Sequence, residues 1–263
     1  MMRLLKIVLL VCLFFGCDKK AERPSAFLQT QQIKLAPPRV LTTSTIIDSS
    51  IVLSADFKME DVKLRYTFDG TDPTENALSY KNPIQITEAG TYSFKAFHPE
   101  WTPSETTTVK IYQKGMDTIA IQLRTKASIK YPGMGAKGLV DHKKASLSFT
   151  DAEWIGFDTI AKARIDFGKK VHLEKITMAY LVDTGSWIFP PENVIVYLNK
   201  TDSIRVQIPN LKSDTLALAD VEIPIEKTVQ YLTIHVQNLK ELPEWHPGKG
   251  LKAWLFMDEW IFN

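Results

Sequence analysis

The sequence predicts an all-β protein built from two sandwich domains. In VKLRYTFDG, residues 62–70, apolar side chains alternate with polar ones, which is the period of a half-buried strand. Leu232, Ile234 and Val236 alternate with polar neighbours in the same way. Short strands of this kind recur along the chain with turn signals between them, and no convincing amphipathic helix interrupts them. Two antiparallel sandwiches are therefore expected.

The chain begins with a segment typical of export signals. Residues 1–17 have a basic start, an apolar run too short to span a bilayer, and Gly16 before Cys17. This ending resembles the lipobox of bacterial lipoproteins, in which the cysteine is acylated. The resemblance implies a lipid anchor at Cys17 and a place in the bacterial cell envelope, at the outer membrane or cell surface rather than the inner membrane. The alternative is an ordinary signal cleaved nearby, or an uncleaved anchor.

Composition limits what the processed chain can bind. Loss of the signal removes Arg3 and Lys6, which brings the formal charge of +2 to zero. A neutral chain argues against a nucleic-acid partner, which requires a clustered basic surface. Cys12 is also lost, so no intramolecular disulfide can form. Residues 18–37 are polar and proline-bounded, which predicts a flexible tether.

The next segment, residues 38–114, is rich in short alternating strands. Within it lies LRYTFDGTDPTENALSYKNPIQITEAGTYSFKAFHPEWTPSE. This stretch is similar to the small immunoglobulin-like domain at the C-terminal end of chitobiases and β-hexosaminidases, and the resemblance implies an immunoglobulin-like sandwich. Asp69 and Asp72 lie in its Asp-Gly and Asp-Pro turn. Such residues favour a turn by bonding their own backbone, which we prefer to a metal loop.

Residues 117–263 carry a second resemblance. Their distinctive stretches are DTGSWI and PEWHPG, set among strands such as NVIVYL and KAWLFMDEWIF. Together they resemble a discoidin-type sandwich, the fold of coagulation-factor type C domains and of many bacterial carbohydrate-binding modules. The version that looks most similar is appended to exported β-N-acetylhexosaminidases. The resemblance implies a discoidin-like jelly roll that binds a glycan.

Catalytic motifs of the resembled enzymes are missing from the sequence. Hexosaminidases of this kind carry an Asp-Glu pair after a His and two glycines in a barrel, and this chain has no such motif. Its one Asp-Glu pair, Asp258 and Glu259, lies in an apolar strand, where neighbours should point to opposite faces and cannot flank one glycosidic bond. We therefore expect a non-catalytic protein, with a glycoside hydrolase as a candidate partner.

Two loops supply the candidate sugar-binding residues. Trp187 follows DTGS, and Trp245-His246 lies in a loop broken by prolines and glycines. If the loops meet at one rim, an indole can stack on the apolar face of a pyranose while Asp183, Glu244 and His246 bond its hydroxyls. We expect Trp245 and His246 to be exposed, whereas the apolar residues after Trp187 favour packing there. The other tryptophans of this domain are assigned to packing: Trp154, Trp254 and Trp260.

These residues lead to a carbohydrate-binding hypothesis and an alternative to it. The implied ligand is an N-acetylhexosamine- or galactose-containing glycan. The alternative is a protein-protein interaction or scaffold subunit of a glycan-degradation system, without a sugar site of its own. Sandwich folds accommodate both functions.

The discoidin-type resemblance also implies a structural calcium ion. Asp141 in GLVDHKK and Glu259 in FMDEW occupy the matching positions, and calcium favours carboxylate oxygens. The chain departs from the pattern at His142, where a glycine is usual. The alternative is a buried glutamate that is bonded to backbone amides without a metal.

The lipid anchor gives the first testable prediction. When the protein is expressed in a bacterium with lipoprotein machinery, it should partition into the detergent phase, because several acyl chains together anchor stably at about 0.8 kcal/mol per buried CH₂. Cys17→Ala should leave that phase after ordinary cleavage or keep the full-length mass. Phase partitioning and mass spectrometry check this, and a variant with unchanged mass and membrane behaviour would contradict it.

Overall fold

A computed structural model of the chain describes residues 33–117 and 119–263. The signal segment, Cys17 and most of the tether lie outside these residues. In the described part, strands dominate and the helices are short turns of 3-10 helix. None of the helices there is long and apolar enough to cross a membrane. The predicted all-β class is confirmed.

The first domain is a sandwich of two sheets. The strands are β1 (Arg39–Thr42), β2 (Ile46–Ile47), β3 (Ile51–Asp56), β4 (Lys63–Thr67), β5 (Leu78–Tyr80), β6 (Ile84–Ile86), β7 (Gly90–Phe97) and β8 (Thr107–Gln113). One sheet has the strand order β1-β3-β6 and the other β2-β8-β7-β4-β5, with every pairing antiparallel except that of β2 with β8. Leu53, Phe94 and Ile111 belong to the core between the sheets.

The turn after β4 differs in part from its prediction. Asp69 accepts hydrogen bonds from the backbone and hydroxyl of Thr71, at 3.1 and 2.6 Å, so it acts as the expected turn residue. Asp72 instead forms an ion pair with Lys95 at 2.6 Å. Phe68, expected on the half-buried face, is 61% exposed because the strand ends at Thr67.

The second domain is built around two long strands. Its strands are β9 (Ala120–Leu123), β10 (Ile155–Phe157), β11 (Ala161–Asp183), β12 (Asn193–Tyr197), β13 (Ser203–Gln207), β14 (Leu216–Gln237) and β15 (Leu255–Phe262). Short 3-10 helices occupy Gly135–Val140 and Thr184–Ser186. The sequence predicts two separate strands in the region of β11, AKARIDFG and VHLEKITMAYLV. Gly168 has the left-handed φ of +71° and lies in a register shift, which bends a single continuous strand there.

The bend in the paired strands β11 and β14 folds one sheet into two layers. The first half of β11 and the second half of β14 pair in a layer with β9, β12 and β13. Their other halves form a layer with β15 and β10. Leu232, Ile234 and Val236 of the first layer pack in one core with Met178 and Trp260 of the second. The antiparallel sandwich expected for this domain is therefore confirmed.

A β-bulge in the last strand changes the direction of two acidic side chains. In the pairing of β15 with β11, Asp258 and Glu259 together lie opposite the single residue Ala179. Met257 and Trp260, on either side of them, both belong to the core. The two acids therefore share the other face, so the prediction that they point to opposite faces is wrong. Both are buried, at 0% and 1% exposure, and neither is accessible to a substrate.

The two domains contact each other closely at their joint. A Cβ on Gly115 would lie 2.8 Å from the backbone N and O of Phe262, so only glycine fits this approach. The next residue, Met116, donates its backbone N–H to Phe262 O at 3.0 Å. Tyr112 of the first domain donates its hydroxyl to Asp220 of the second at 2.6 Å. The last strand of the chain is thus part of the joint.

Candidate functional site

The loop that follows β11 presents an exposed tryptophan. Asp183 accepts the backbone N–H of Ser186 at 3.2 Å and so closes the 3-10 turn Thr184–Ser186. Trp187 then adopts a left-handed conformation with φ of 66°, and its side chain is 40% exposed. The next residue, Ile188, is 1% exposed. The left-handed residue therefore separates an outward indole from an inward apolar run, and the packing expected for Trp187 is wrong.

The indole of Trp187 rests on a glycine of the second loop. A Cβ on Gly248 would lie 3.3 Å from Cε2 and Cζ2 of Trp187 and 3.1 Å from Cδ1 of Leu242. These distances are tighter than ordinary van der Waals contact, so the absence of a side chain lets the ring lie close to the loop. The indole is thereby supported by the loop, while Trp187 remains 40% exposed.

His246 connects the two loops from inside. Its Nδ1 accepts the backbone N–H of Gly248 at 3.0 Å, so Nε2 carries the proton and donates to the carbonyl of Thr184 at 3.0 Å. The residue is 5% exposed. The expected exposure of His246 is wrong because both ring nitrogens are used to hold the loops together.

Trp245 is partly buried against the domain. Its Nε1–H donates to the carbonyl of Leu211 at 3.1 Å, and its ring lies 5.9 Å from that of Phe189. It packs against a small apolar cluster that includes Leu242. Trp245 is therefore more buried than expected. Glu244 is exposed, as expected, and forms an ion pair with Lys249 at 3.0 Å.

The rim encloses an open depression of about 560 Å³. Three of the predicted residues line it, and Trp245 and Glu244 are not among the lining residues. A third segment, which precedes and begins β14, also lines the depression and was not predicted from the sequence. The lining residues are Asp183, Thr184, Gly185, Trp187, Asp214, Thr215, Leu216, His246 and Pro247.

The missed segment is held against the first loop by hydrogen bonds. Thr215 donates its backbone N–H to Thr184 Oγ1 at 3.0 Å, and that hydroxyl lies 3.4 Å from Asp214 Oδ1, to which it donates. Leu216 follows and is 59% exposed. A polar pair followed by an exposed leucine at the start of a strand is a weak signal in sequence alone. The described lining residues include the carboxylates of Asp183 and Asp214 and contain no lysine or arginine.

The residues predicted to bind calcium are bonded to neighbouring backbone amides. Glu259 accepts the backbone N–H of His142 at 3.0 Å, and its other oxygen lies 3.5 Å from His142 Nδ1. Asp141 accepts the backbone N–H of Lys143 at 3.1 Å. Within residues 33–117 and 119–263, no group of three or more His, Cys, Asp or Glu side chains could hold a metal. One Glu259 oxygen lacks a hydrogen-bond partner there, but the imidazole lies beside it. Calcium binding itself remains a prediction.

Comparison with known proteins finds one family that is similar to part of the first domain and a set of similar solved structures. A family described as Fn3 associated matches residues 51–112. No curated protein matches the chain. Similar solved structures include CpGH89CBM32-5 from Clostridium perfringens in complex with GalNAc-β-1,3-galactose, with 10% identity, 55% of this chain and 94% of that chain covered, and a TM-score of 0.35. The lectin domain of lectinolysin complexed with Lewis B antigen has 14% identity, coverages of 57% and 97%, and a TM-score of 0.38. A Streptococcus pneumoniae fucose binding module has 14% identity, coverages of 54% and 89%, and a TM-score of 0.36.

The position of Trp245 gives a stability prediction. Trp245→Ala should lower the free energy of unfolding by about 2–4 kcal/mol, because it removes a packed ring and leaves the Leu211 carbonyl without its donor. Trp245→Phe keeps most of the packing and should cost about 1 kcal/mol. Urea unfolding of both variants checks this. An alanine variant as stable as the parent would show that the ring does not pack.

The buried Glu259 gives a pH prediction. Burial raises the pKa of Glu259 to about 8, above its usual value of 4.5. The folded state therefore binds this proton more tightly than the unfolded state, so its stabilising effect is complete below pH 4.5 and is lost as the pH rises to about 8. Glu259→Gln should remove this part of the slope. Melting curves of both proteins across that range, in EDTA, check it; parallel pH profiles would be the contrary result.

Proposed function

We propose that the rim of the second domain binds a neutral glycan. The observation that carries this proposal is the indole of Trp187, which is 40% exposed, is supported by Gly248 and stands in an open depression beside two carboxylates. A large aromatic ring that the backbone turns outward costs apolar burial, so its exposure favours a binding role. The carbohydrate-binding hypothesis thus moves from Trp245 to Trp187.

The apolar and polar groups of the rim suit a sugar ring. The indole offers a flat apolar surface on which the C–H face of a pyranose can stack. Asp183 and Asp214 accept hydrogen bonds from sugar hydroxyls, and the carboxylate charge strengthens such bonds. A shallow platform with a few oriented polar groups is typical of a small-molecule site.

Charge and apolar exposure at the rim narrow the ligand class. The two lining carboxylates repel a uronic or sialic acid, since like charges at close range are unfavourable. Leu216, 59% exposed beside Asp214, offers an apolar contact to the methyl group of an N-acetyl substituent. We therefore propose that the ligand is an N-acetylhexosamine- or galactose-type glycan and that the sugar in the site must be neutral.

The predicted lipid anchor would locate glycan binding at a membrane. An acylated Cys17 with the tether of residues 18–37 would hold the domains at the bacterial cell envelope. Binding there would concentrate a glycan near a separate glycoside hydrolase. The anchor, its membrane and the enzyme partner are proposals that rest on the sequence resemblance.

A scaffold role is the second candidate. It is favoured by the side chain of Leu218, which is 46% exposed one pleat along from Leu216 on β14. The half of β14 that carries these leucines pairs with β11, whereas β12 pairs with the other half, at residues 233–237. The strand β12 therefore does not lie beside the leucines. A partner protein that covers these leucines would not require the indole of Trp187.

The glycan proposal is tested by substitution at the platform. Trp187→Ala should weaken binding of N-acetylgalactosamine or galactose at least about tenfold, which corresponds to about 1.4 kcal/mol, while the Tm stays within a few degrees. A millimolar Kd represents only about 4.1 kcal/mol, so such a loss makes binding undetectable. Calorimetry and a glycan array with the fragment from Ala21 onward measure it. Galactose-, fucose- and N-acetylhexosamine-containing glycans are the first probes, and glucuronic acid is the charged comparison.

Matched variants separate the two candidate functions. Phe68→Ala removes an exposed aromatic ring from the first domain and should leave binding unchanged. Leu218→Ala should also leave glycan binding unchanged but would weaken a protein complex. A parent protein that binds none of these sugars, or a Trp187→Ala variant that binds them as the parent does, would reject the sugar site.

A further inference from the structure

Three consecutive basic residues run past the buried acids of the second domain, and two of their side chains face those acids. The basic segment, His142–Lys144, follows Asp141 and runs past the bulge of β15. Both bulge residues accept a backbone N–H from this stretch: Glu259 from His142 at 3.0 Å, and Asp258 from Ala145 at 2.8 Å. Main-chain bonds thus hold the segment against the last strand, with its side chains placed among carboxylates.

Lys144 has the most enclosed position of the three. Its Nζ lies 3.5 Å from Asp258 Oδ1 and 3.5 Å from Asp220 Oδ1. It also lies 4.8 Å from the ring centroid of Tyr112, a first-domain residue that donates its hydroxyl to Asp220. The Lys144 side chain is 10% exposed and that of Asp258 is fully buried. One ammonium group therefore bridges β14, β15 and the first domain.

His142 occupies the space beside the second acid. Its Nδ1 is 3.5 Å from Glu259 Oε1, and its Nε2 is 3.3 Å from Asp117 Oδ1. Neither His142 Nδ1 nor Glu259 Oε1 has a hydrogen-bond partner within the described residues. The backbone of His142 has a φ of 62°, a conformation that favours glycine, so the ring is held there against its backbone preference.

Lys143 extends the same arrangement toward solvent. Its Nζ lies 3.9 Å from Asp141 Oδ2 and 4.0 Å from Glu153 Oε1. The Lys143 side chain is 64% exposed, so these pairs are weak compared with those of Lys144. This difference makes Lys143 a matched control for Lys144.

We propose that the basic segment takes the place of a bound metal ion, with Lys144 as an internal counter-ion for Asp258 and Asp220 and the ring of His142 seated against Glu259. Calcium requires six to eight oxygen ligands, which must be free to surround it. Here the acids are directed at an ammonium, an imidazole and backbone amides. The second domain therefore folds without calcium, and the same lysine ties it to the first domain.

The experiment compares the whole chain in EDTA and in saturating calcium. The Tm should be the same in both, whereas an ion at 100 times its Kd would raise it by roughly 5–10 °C. Lys144→Met should lower the Tm by roughly 10 °C, because it leaves the fully buried Asp258 without its cation, whereas Asp220 keeps Lys110 at 3.0 Å. Lys143→Met removes an exposed cation of the same kind and should change the Tm by roughly 2 °C or less. Lys144→Arg keeps the charge and should recover much of the loss.

Each outcome of this experiment either supports or overturns the proposal that the basic segment replaces a metal ion. A calcium-dependent rise in Tm of the unmodified chain, with stoichiometric metal by elemental analysis, overturns the proposal. So does a Lys144→Met variant that melts like Lys143→Met, since Lys144 would then carry no particular role. If Lys144→Met does not fold, the calcium comparison on the unmodified chain and the Lys144→Arg variant decide instead. Glycan binding is not used as a readout, so the sugar proposal stands or falls separately.

Discussion

Burial of two adjacent acids in the last strand is the constraint on which the second domain depends. A carboxyl group that leaves water is costly unless it is paired and hydrogen-bonded. The β-bulge turns Asp258 and Glu259 to the same face, where the amides of His142 and Ala145 meet them. These bonds fix the path of the long connection between β9 and β10. Residues of that connection then cover the outer face of the sheet, where Trp154 packs with aromatic and aliphatic neighbours.

Much of this fold follows from the sequence because its strands have simple periodicity. Leu232, Ile234 and Val236 alternate without interruption and are buried as expected. Trp154 and Trp260 are buried as well. The bulge could not be predicted, since an extra residue breaks the period of two and its position depends on how β15 pairs with β11. The bend within β11 was missed for a related reason: Gly168 looks like a strand end when its partner strand is unknown.

The candidate site shows a different limit of sequence reasoning. The loops that carry Trp187 and Trp245 meet at one rim, as predicted. Trp187 was expected to be packed and Trp245 to be exposed, and the structure shows the reverse order of exposure. Polar neighbours made Trp245 look exposed, yet its indole bonds the carbonyl of Leu211 and packs on Phe189, both distant in sequence. Apolar neighbours made Trp187 look buried, yet its left-handed φ turns it outward. Local composition shows only the neighbours of a residue in the sequence. Its exposure depends on the direction of the backbone and on contacts with segments that are distant in sequence.

The rim and the domain joint lie toward opposite ends of the half of β11 that pairs with β15. At one end of this half, Asp183 contributes to the depression, and at the other, Lys175 donates its backbone N–H to Asn263 beside the joint. At about 3.3 Å per residue, roughly 26 Å of strand separates Lys175 from Asp183. The close approach at Gly115 holds the first domain at the far end, and Tyr112 contacts Asp220, which pairs with Ala179 about midway along this half. The Trp187 platform therefore lies at the end of these strands away from Gly115, so a ligand bound there does not meet the close contact between the domains.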